Sequence, residues 1–145
     1  DLAAELASAR LMLVTSHVYL DHDAPPQALP PEVERGLALV LREAVTNIAR
    51  HARASRVRIE FGCEAKTVQL CIGDDGRGGV ATDGNGLAGM RDRVRALGGT
   101  LSVDSPHGGG TRVLVRVPLV WREPIPPLRA VSDTPAAAAS AGVHA

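Results

Sequence analysis

The chain has 145 residues, a length that suits one domain with its own core. Of these residues 45% are hydrophobic but only 2% are aromatic, which excludes a base-stacking surface for single-stranded nucleic acid. Sixteen basic residues balance sixteen acidic ones, so net charge gives no reason to expect nucleic acid or an anionic membrane as a partner. The two cysteines do not form a disulfide framework, and no apolar run approaches the roughly 18 residues of a membrane span, so we expect a cytosolic location.

The first 14 residues are rich in helix formers and predict a helix. Its apolar residues recur at helical spacing, at Leu2, Leu6, Ala9 and Leu13. A short strand is predicted around Val18 and Leu20. The segment APPQALPP at 24–31 then breaks any regular element because of its prolines.

A second helix is predicted from Pro31 to about Ala52, since proline and the following Glu32 both suit a first helical turn. One side of this helix is apolar and faces a core. At about 3.6 residues per turn, four polar residues fall within an arc of roughly 100° on the other side. They are Glu43, Asn47, Arg50 and His51. Mixed polar faces are common on surface helices, so this pattern alone leaves a functional and a structural interpretation open.

The alternation of apolar and charged residues predicts strands at 56–61 and 67–72, joined as an antiparallel hairpin by a polar connection at 63–66. Two glycine-rich runs, at 73–79 and 84–89, follow the second strand. So many glycines in a polar run indicate a mobile loop or a backbone that a ligand approaches closely.

Helical spacing from Leu87 to Leu97 predicts a third helix, which the glycine pair at 98–99 ends. Strands are predicted around residues 101–103 and from Thr111 to Val117. From residue 124 onward the chain is rich in proline and alanine, and we expect much of that tail to be disordered.

Asp74 ends an apolar strand and precedes glycines. A buried carboxylate needs a hydrogen-bond donor, and the exocyclic amine of adenine is one, while glycines let a flat ring approach the backbone. By itself, a turn-forming aspartate after a strand is the more ordinary interpretation. The glycines at 108–110 are likewise readily explained as a hairpin loop.

The second glycine-rich run leads into a helix, whose free N–H groups and positive dipole end can hold phosphates. Lys66 is the only lysine, and no Gly-x-x-x-x-Gly-Lys sequence is present, so a Walker-type phosphate loop is excluded. Gly84-x-Gly86-x-x-Gly89 also matches the dinucleotide fingerprint, but that motif requires a strand immediately before it, and the preceding residues are polar and glycine-rich.

The polar stripe of the second helix would complete such a site. The Asn47 oxygen can ligate Mg²⁺, and Arg50 and His51 can contact phosphate oxygens. Glu43 can organise metal-bound water or accept a proton, and the sequence does not decide between these two roles.

Four motifs follow one another between residues 30 and 120. They are Glu43-x-x-x-Asn47-x-x-Arg50-His51, Asp74-x-Gly76-x-Gly78, Gly84-x-Gly86-Leu87-x-Gly89-Met90, and Gly110-Thr111 followed by Pro118. In this order they resemble the ATP-binding domain of sensor histidine kinases, and more narrowly the branch that regulates nitrate response and membrane-lipid desaturation. That domain belongs to a superfamily shared with gyrase, the mismatch-repair ATPase and the ninety-kilodalton chaperone.

The resemblance implies an α/β fold, a two-layer sandwich with a mixed, mostly antiparallel sheet covered on one face by helices. It implies ATP and Mg²⁺ as ligands, with Asn47 on the metal, Glu43 acting through water, and Arg50 and His51 on the phosphates. Asp74 would accept the adenine amine, Gly76 and Gly78 would lie beside the ring, and Thr111 would lie near the adenine end. The remaining motif residues frame the lid and its helix: Gly84, Gly86, Leu87, Gly89 and Met90.

The resemblance also implies a reaction, donation of the ATP γ-phosphate to a histidine on a separate dimerisation domain, with a response regulator downstream. The family's phosphoacceptor helix has no counterpart in this sequence, and the lid lacks the phenylalanine-bearing box of the commoner branches. We therefore expect residues 1–23 to lead from an upstream dimerisation region, 24–122 to form the catalytic domain, and 123–145 to be the tail. The isolated domain is expected to be monomeric. An anti-sigma-factor-type serine kinase and a non-catalytic interaction module remain alternatives.

Overall fold

A computed structural model of the chain describes residues 1–81 and 85–120. The predicted tail at 123–145 lies outside the described residues. The elements in chain order are α1 (Leu2–Thr15), β1 (Tyr19–His22), α2 (Pro31–Asn47), a π-helical turn (Ile48–Ala52), β2 (Arg56–Glu64), β3 (Thr67–Asp74), α3 (Asn85–Ala96), β4 (Thr100–Asp104) and β5 (Thr111–Pro118).

The strands form one sheet in the order β1-β2-β3-β5-β4. β1 pairs with β2 in parallel, and the other neighbours are antiparallel. The predicted hairpin of β2 and β3 is confirmed, but its strands extend further than expected because only Ala65 and Lys66 form the turn. Both have positive φ, 51° and 62°, the backbone that a two-residue hairpin turn requires.

The core lies on the helical face of the sheet. Alternate strand residues point into it, so Val57 and Ile59 of β2 are buried while Arg56 and Arg58 are exposed. The helices bury their apolar sides against those strand residues. The expected two-layer α/β sandwich with a mixed, mostly antiparallel sheet is therefore confirmed.

α1 and β1 contribute to this same core and sheet. The four apolar residues predicted on one side of α1 are all buried: Leu2, Leu6, Ala9 and Leu13. The Glu34 carboxylate on α2 accepts a hydrogen bond of 3.0 Å from the backbone N–H of Leu2, which ties the start of α1 to α2. Within the described residues, no helix combines the length and apolar character needed to cross a membrane.

The predicted second helix runs to Ala52, but its last turn is π-helical. A π turn closes i→i+5 hydrogen bonds and so holds more residues than an α turn. Side chains after Asn47 therefore point in directions that a 3.6-residue period does not predict. Arg53, in the left-handed conformation at φ 51°, ends the turn before β2.

Candidate functional site

A cavity of about 620 Å³ opens at one end of the sheet, a size typical of small-molecule sites. It is lined by α2 and its π turn, the end of β3, the start of α3, the segment 77–81 and the loop between β4 and β5. Its apolar wall contains Ile48, Ile72, Leu87, Met90 and Val113. Its polar groups come from both layers of the fold, Asp74 and Thr111 from the sheet and Glu43 and Asn47 from α2.

Asp74 is the last residue of β3 and is partly buried. Its Oδ1 accepts a 2.8 Å hydrogen bond from the Gly76 N–H, and the Thr111 backbone donates a second. Burial raises the pKa of the Asp74 carboxyl because it penalises the charged form, while the two backbone hydrogen bonds oppose that effect. This carboxylate is thus a strong acceptor facing a largely apolar cavity.

Two glycines allow the loops to close around Asp74. Gly110 has φ 75°, and a Cβ at that position would collide with the Asp74 carbonyl oxygen. Gly78 has φ 64°, and a Cβ there would collide with the carbonyl oxygen of Pro106. Both positions require glycine for conformation and for space.

Asp75, which the motif analysis did not single out, fixes the backbone next to Asp74. Its carboxylate accepts hydrogen bonds from the Ser55 hydroxyl at 2.6 Å and from the N–H groups of Ser55 and Arg56 at 2.8 and 2.9 Å. The Ser55 hydroxyl is the main reason why the pKa of Asp75 is lowered. This contact joins the end of β3 to the start of β2.

Glu43, Asn47 and His51 line the cavity, whereas the exposed Arg50 does not. The π turn accounts for this difference, since it changes the direction of the side chains that follow Asn47. Glu43 and Asn47 also face the first turn of α3. A Cβ at Gly86 would lie 3.2 Å from Glu43 Oε1 and 3.5 Å from Asn47 Nδ2.

These two side chains fit a Mg²⁺ ion held mainly by a bound phosphate. Mg²⁺ retains several waters and takes one or two protein ligands where substrate phosphates supply the others. Among residues 1–81 and 85–120, no group of three or more His, Cys, Asp or Glu side chains is arranged to hold a metal alone. An amide with a neighbouring carboxylate is sufficient only for a shared site of this kind.

The other predicted residues are divided between cavity wall and support. Gly78, Gly86, Leu87 and Met90 line the cavity. Gly76 is buried and binds the Asp74 carboxylate, and Gly89 is exposed on α3 with open space around it. Gly84 lies outside the described residues.

Sequence reasoning missed the contribution of the loop between β4 and β5. Ser105 accepts hydrogen bonds from the Gly79 N–H through its carbonyl oxygen and from the Val80 N–H through its hydroxyl, at 2.8 and 3.0 Å. The Arg77 carbonyl accepts a 2.6 Å bond from the Gly108 N–H. These contacts bring Arg77, Gly79, Val80 and His107 to the cavity, and the only signal in the sequence was the glycine run at 108–110.

The fold and the cavity together define a small-molecule-binding α/β domain with a carboxylate acceptor at one side. Comparison with known proteins identifies its family. Residues 32–120 match the family described as "Histidine kinase-, DNA gyrase B-, and HSP90-like ATPase", and the chain belongs to that family of ATP-binding domains.

Several curated relatives are sensor kinases. The chain is 41% identical over 108 residues to the signal transduction histidine-protein kinase/phosphatase UhpB of Salmonella typhimurium, covering 72% of this chain and 21% of that protein. It is 32% identical over 102 residues to the nitrate/nitrite sensor protein NarX of Escherichia coli, covering 68% and 17%. The chain thus spans about a fifth of these relatives.

Solved structures give the same result. The histidine kinase domain of a blue-light activated histidine kinase from Erythrobacter litoralis superposes with a TM-score of 0.69 at 26% identity, covering 81% of this chain and 60% of that one. The histidine kinase AdeS of Acinetobacter baumannii, at 19% identity and a TM-score of 0.68, shares the fold. The predicted resemblance to histidine kinase ATP-binding domains is confirmed.

Proposed function

We propose that this domain binds Mg-ATP in the cavity and presents the γ-phosphate to a histidine on a separate dimerisation domain. The observation that carries the proposal is the polarity of the cavity. The sheet contributes a partly buried carboxylate, α2 contributes an amide and a second carboxylate, and apolar residues line the same cavity. Such a cavity suits a ligand with an amine-bearing flat ring and a charged, metal-bound tail.

Asp74 is the acceptor for the adenine amine. Its carboxylate already accepts two backbone hydrogen bonds, and an ionised carboxylate has about four acceptor sites, so capacity remains for the ligand. The fixed backbone of Gly76 and Thr111 holds the carboxylate in place. Ile72, Met90 and Val113 supply apolar surface against the base.

The other side of the cavity takes the phosphates. Gly86, in the first turn of α3, lies against Glu43 and Asn47, so the free N–H groups and positive dipole end of α3 face the same space as those side chains. Asn47 would hold Mg²⁺, which neutralises phosphate charge when bound, and His51 would contact a phosphate oxygen. Glu43 would accept a proton or order a water at the reacting end. Arg50 would reach the phosphates only by extending around the π turn.

Positioning and charge neutralisation account for most of the catalysis in phosphoryl transfer, so a site of this kind needs little covalent chemistry of its own. The acceptor histidine belongs to a separate dimerisation domain. A response regulator downstream and a cytoplasmic location complete the proposal. We propose that the isolated domain is monomeric and does not bind nucleic acid or membrane.

The test is incubation of this chain with Mg-ATP labelled at the γ-phosphate and a separately supplied histidine-bearing dimerisation domain from a kinase of this type. We expect label on that histidine, as an acid-labile, base-stable phosphoryl group. Label on serine of an added protein would instead indicate an anti-sigma-factor-type kinase. Nucleotide binding without any transfer to the matching domain would support a non-catalytic module and contradict the proposal.

A further inference from the structure

We propose that His107 is a further nucleotide-binding residue whose imidazole packs against the flat base of the bound nucleotide. The inference deepens the proposed function and rests on it. His107 lies in the loop between β4 and β5, outside the four motifs that identified the site. Its side chain nevertheless lines the cavity that contains Asp74 and Thr111.

Hydrogen bonds hold the loop between β4 and β5 in place on the Asp74 side of the cavity. Ser105 accepts hydrogen bonds from the backbones of Gly79 and Val80, and its hydroxyl lies 2.7 Å from the Thr111 hydroxyl. Three residues beyond Ser105, the Gly108 N–H donates to the Arg77 carbonyl. His107 therefore lies between two anchored positions, and its backbone does not need to move to meet a ligand.

The backbone of Gly79 also fixes the position of the His107 imidazole. A Cβ at Gly79 would lie 2.5 Å from His107 Nδ1 and 2.6 Å from Cε1, so the ring lies directly over the Gly79 backbone. Gly79 has φ 73°, a conformation that L side chains rarely adopt. Because Gly79 has no side chain, its backbone packs directly against the imidazole beside the cavity.

The composition explains why a histidine would take this role. The chain has one Trp, one Tyr and one Phe, and neither Tyr19 nor Phe61 lines the cavity. Among the described residues, the ring side chains that line the cavity are those of His51 and His107. A purine gains from contact with another flat π system. His51 lies on the π turn that follows Asn47, whereas His107 lies in the loop that Ser105 joins to Thr111, the partner of Asp74 in the sheet. His107 is therefore the ring on the Asp74 side of the cavity.

The experiment measures ATP and ADP affinity by calorimetry for the wild-type chain and three variants, together with the melting temperature of each ligand-free protein. His107→Phe keeps a flat ring without polar atoms, His107→Gln keeps polar atoms without a ring, and His107→Ala keeps neither. We expect the alanine and glutamine variants to bind ATP about three- to tenfold more weakly and the phenylalanine variant to bind like wild type. ADP should lose the same factor as ATP, because the base is common to both.

Three outcomes would overturn this inference alone. Unchanged affinity of His107→Ala would show that the ring does not touch the nucleotide. Retention by glutamine with loss by phenylalanine would indicate a polar contact, and a loss confined to ATP would indicate a phosphate contact. Failure of the wild-type chain to bind ATP at all would overturn the proposed function and this inference with it, so the two failures are distinguishable.

Discussion

Asp74 and Thr111 face each other across β3 and β5, and the Thr111 backbone donates a hydrogen bond to the Asp74 carboxylate. β5 thus holds in place the Asp74 carboxylate that β3 provides. Thr111 also contacts the Ser105 hydroxyl at 2.7 Å, which connects this pair to the loop between β4 and β5. The acceptor, the loop and the segment 77–81 at Val80 form one hydrogen-bonded unit.

Replacement of Asp74 by asparagine should leave stability at neutral pH unchanged or raise it. The folded-state pKa of Asp74 is raised, so folding favours the protonated form, and that contribution is lost as pH rises through this pKa. At pH 7 the ionised carboxylate is a cost that asparagine lacks. Thermal unfolding of both proteins between pH 3 and 8 checks this, and the difference should shrink below about pH 4. A clear drop in the melting temperature of the variant at pH 7 would contradict a raised pKa for Asp74.

Replacement of Asp75 by alanine should have the opposite pH dependence. The pKa of Asp75 is lowered by the Ser55 hydroxyl and by backbone donors, so its contribution is present above the ordinary aspartate pKa and lost as pH falls through the lowered one. We expect a loss of about 1 kcal/mol at pH 7, because the residue is exposed. Denaturant unfolding at pH 7 and pH 3 should show the gap between wild type and variant closing in acid.

Replacement of Gly110 by alanine should destabilise the fold by about 1–3 kcal/mol, since the residue has φ 75° and its Cβ would collide with the Asp74 carbonyl. Gly62→Ala is the matched control. Nothing lies within 4 Å of a Cβ at Gly62, which is exposed on β2, and the change should stay within about 0.5 kcal/mol. Equal denaturation midpoints for the two variants would exclude a conformational requirement at Gly110.

Replacement of Asn47 by alanine should lower ATP affinity at least about tenfold in Mg²⁺ and far less in EDTA, because the side chain acts through the metal. Titration of the same preparation under both conditions isolates this effect. Equal losses in the two buffers would mean that Asn47 contacts the nucleotide without an ion.

Replacement of Glu43 by glutamine should separate binding from transfer. Glutamine has the same shape as glutamate, so the variant keeps the packing of this side chain beside Gly86. We expect Mg-ATP affinity within about threefold of wild type. The rate of phosphoryl transfer should fall by a factor of about 10² to 10⁴, the usual contribution of general acid–base catalysis. A normal rate on the supplied histidine domain would show that Glu43 takes no part in chemistry.

Local pattern predicted the elements well where each residue choice agreed with the final fold. Pro31 begins α2, and Gly98 with φ 78° follows the end of α3, because these residues suit those backbone positions in any context. The hairpin turn was less predictable. Ala65 and Lys66 both adopt positive φ without glycine or asparagine, so only pairing of β2 with β3 determines how short the turn is.

The candidate site was predictable where it follows one helix face and less so where it depends on tertiary contacts. Asn47 and Glu43 obey the α-helical period, whereas Arg50 does not reach the cavity because the helix widens into a π turn after Asn47. His107 could not be placed by periodicity, since it lies in a loop positioned by Ser105 and by the backbone of Arg77.

Calorimetric titration of Mg-ATP into the wild-type chain and into Asp74→Asn tests whether Asp74 accepts the adenine amine. We expect binding by the wild type and an affinity at least about tenfold lower for the variant, since a hydrogen bond to a charged acceptor contributes roughly 1.5–3 kcal/mol. The melting temperature at pH 7 serves as the control for folding. Equal affinities for the two well-folded proteins would contradict the assignment of Asp74 as the adenine acceptor.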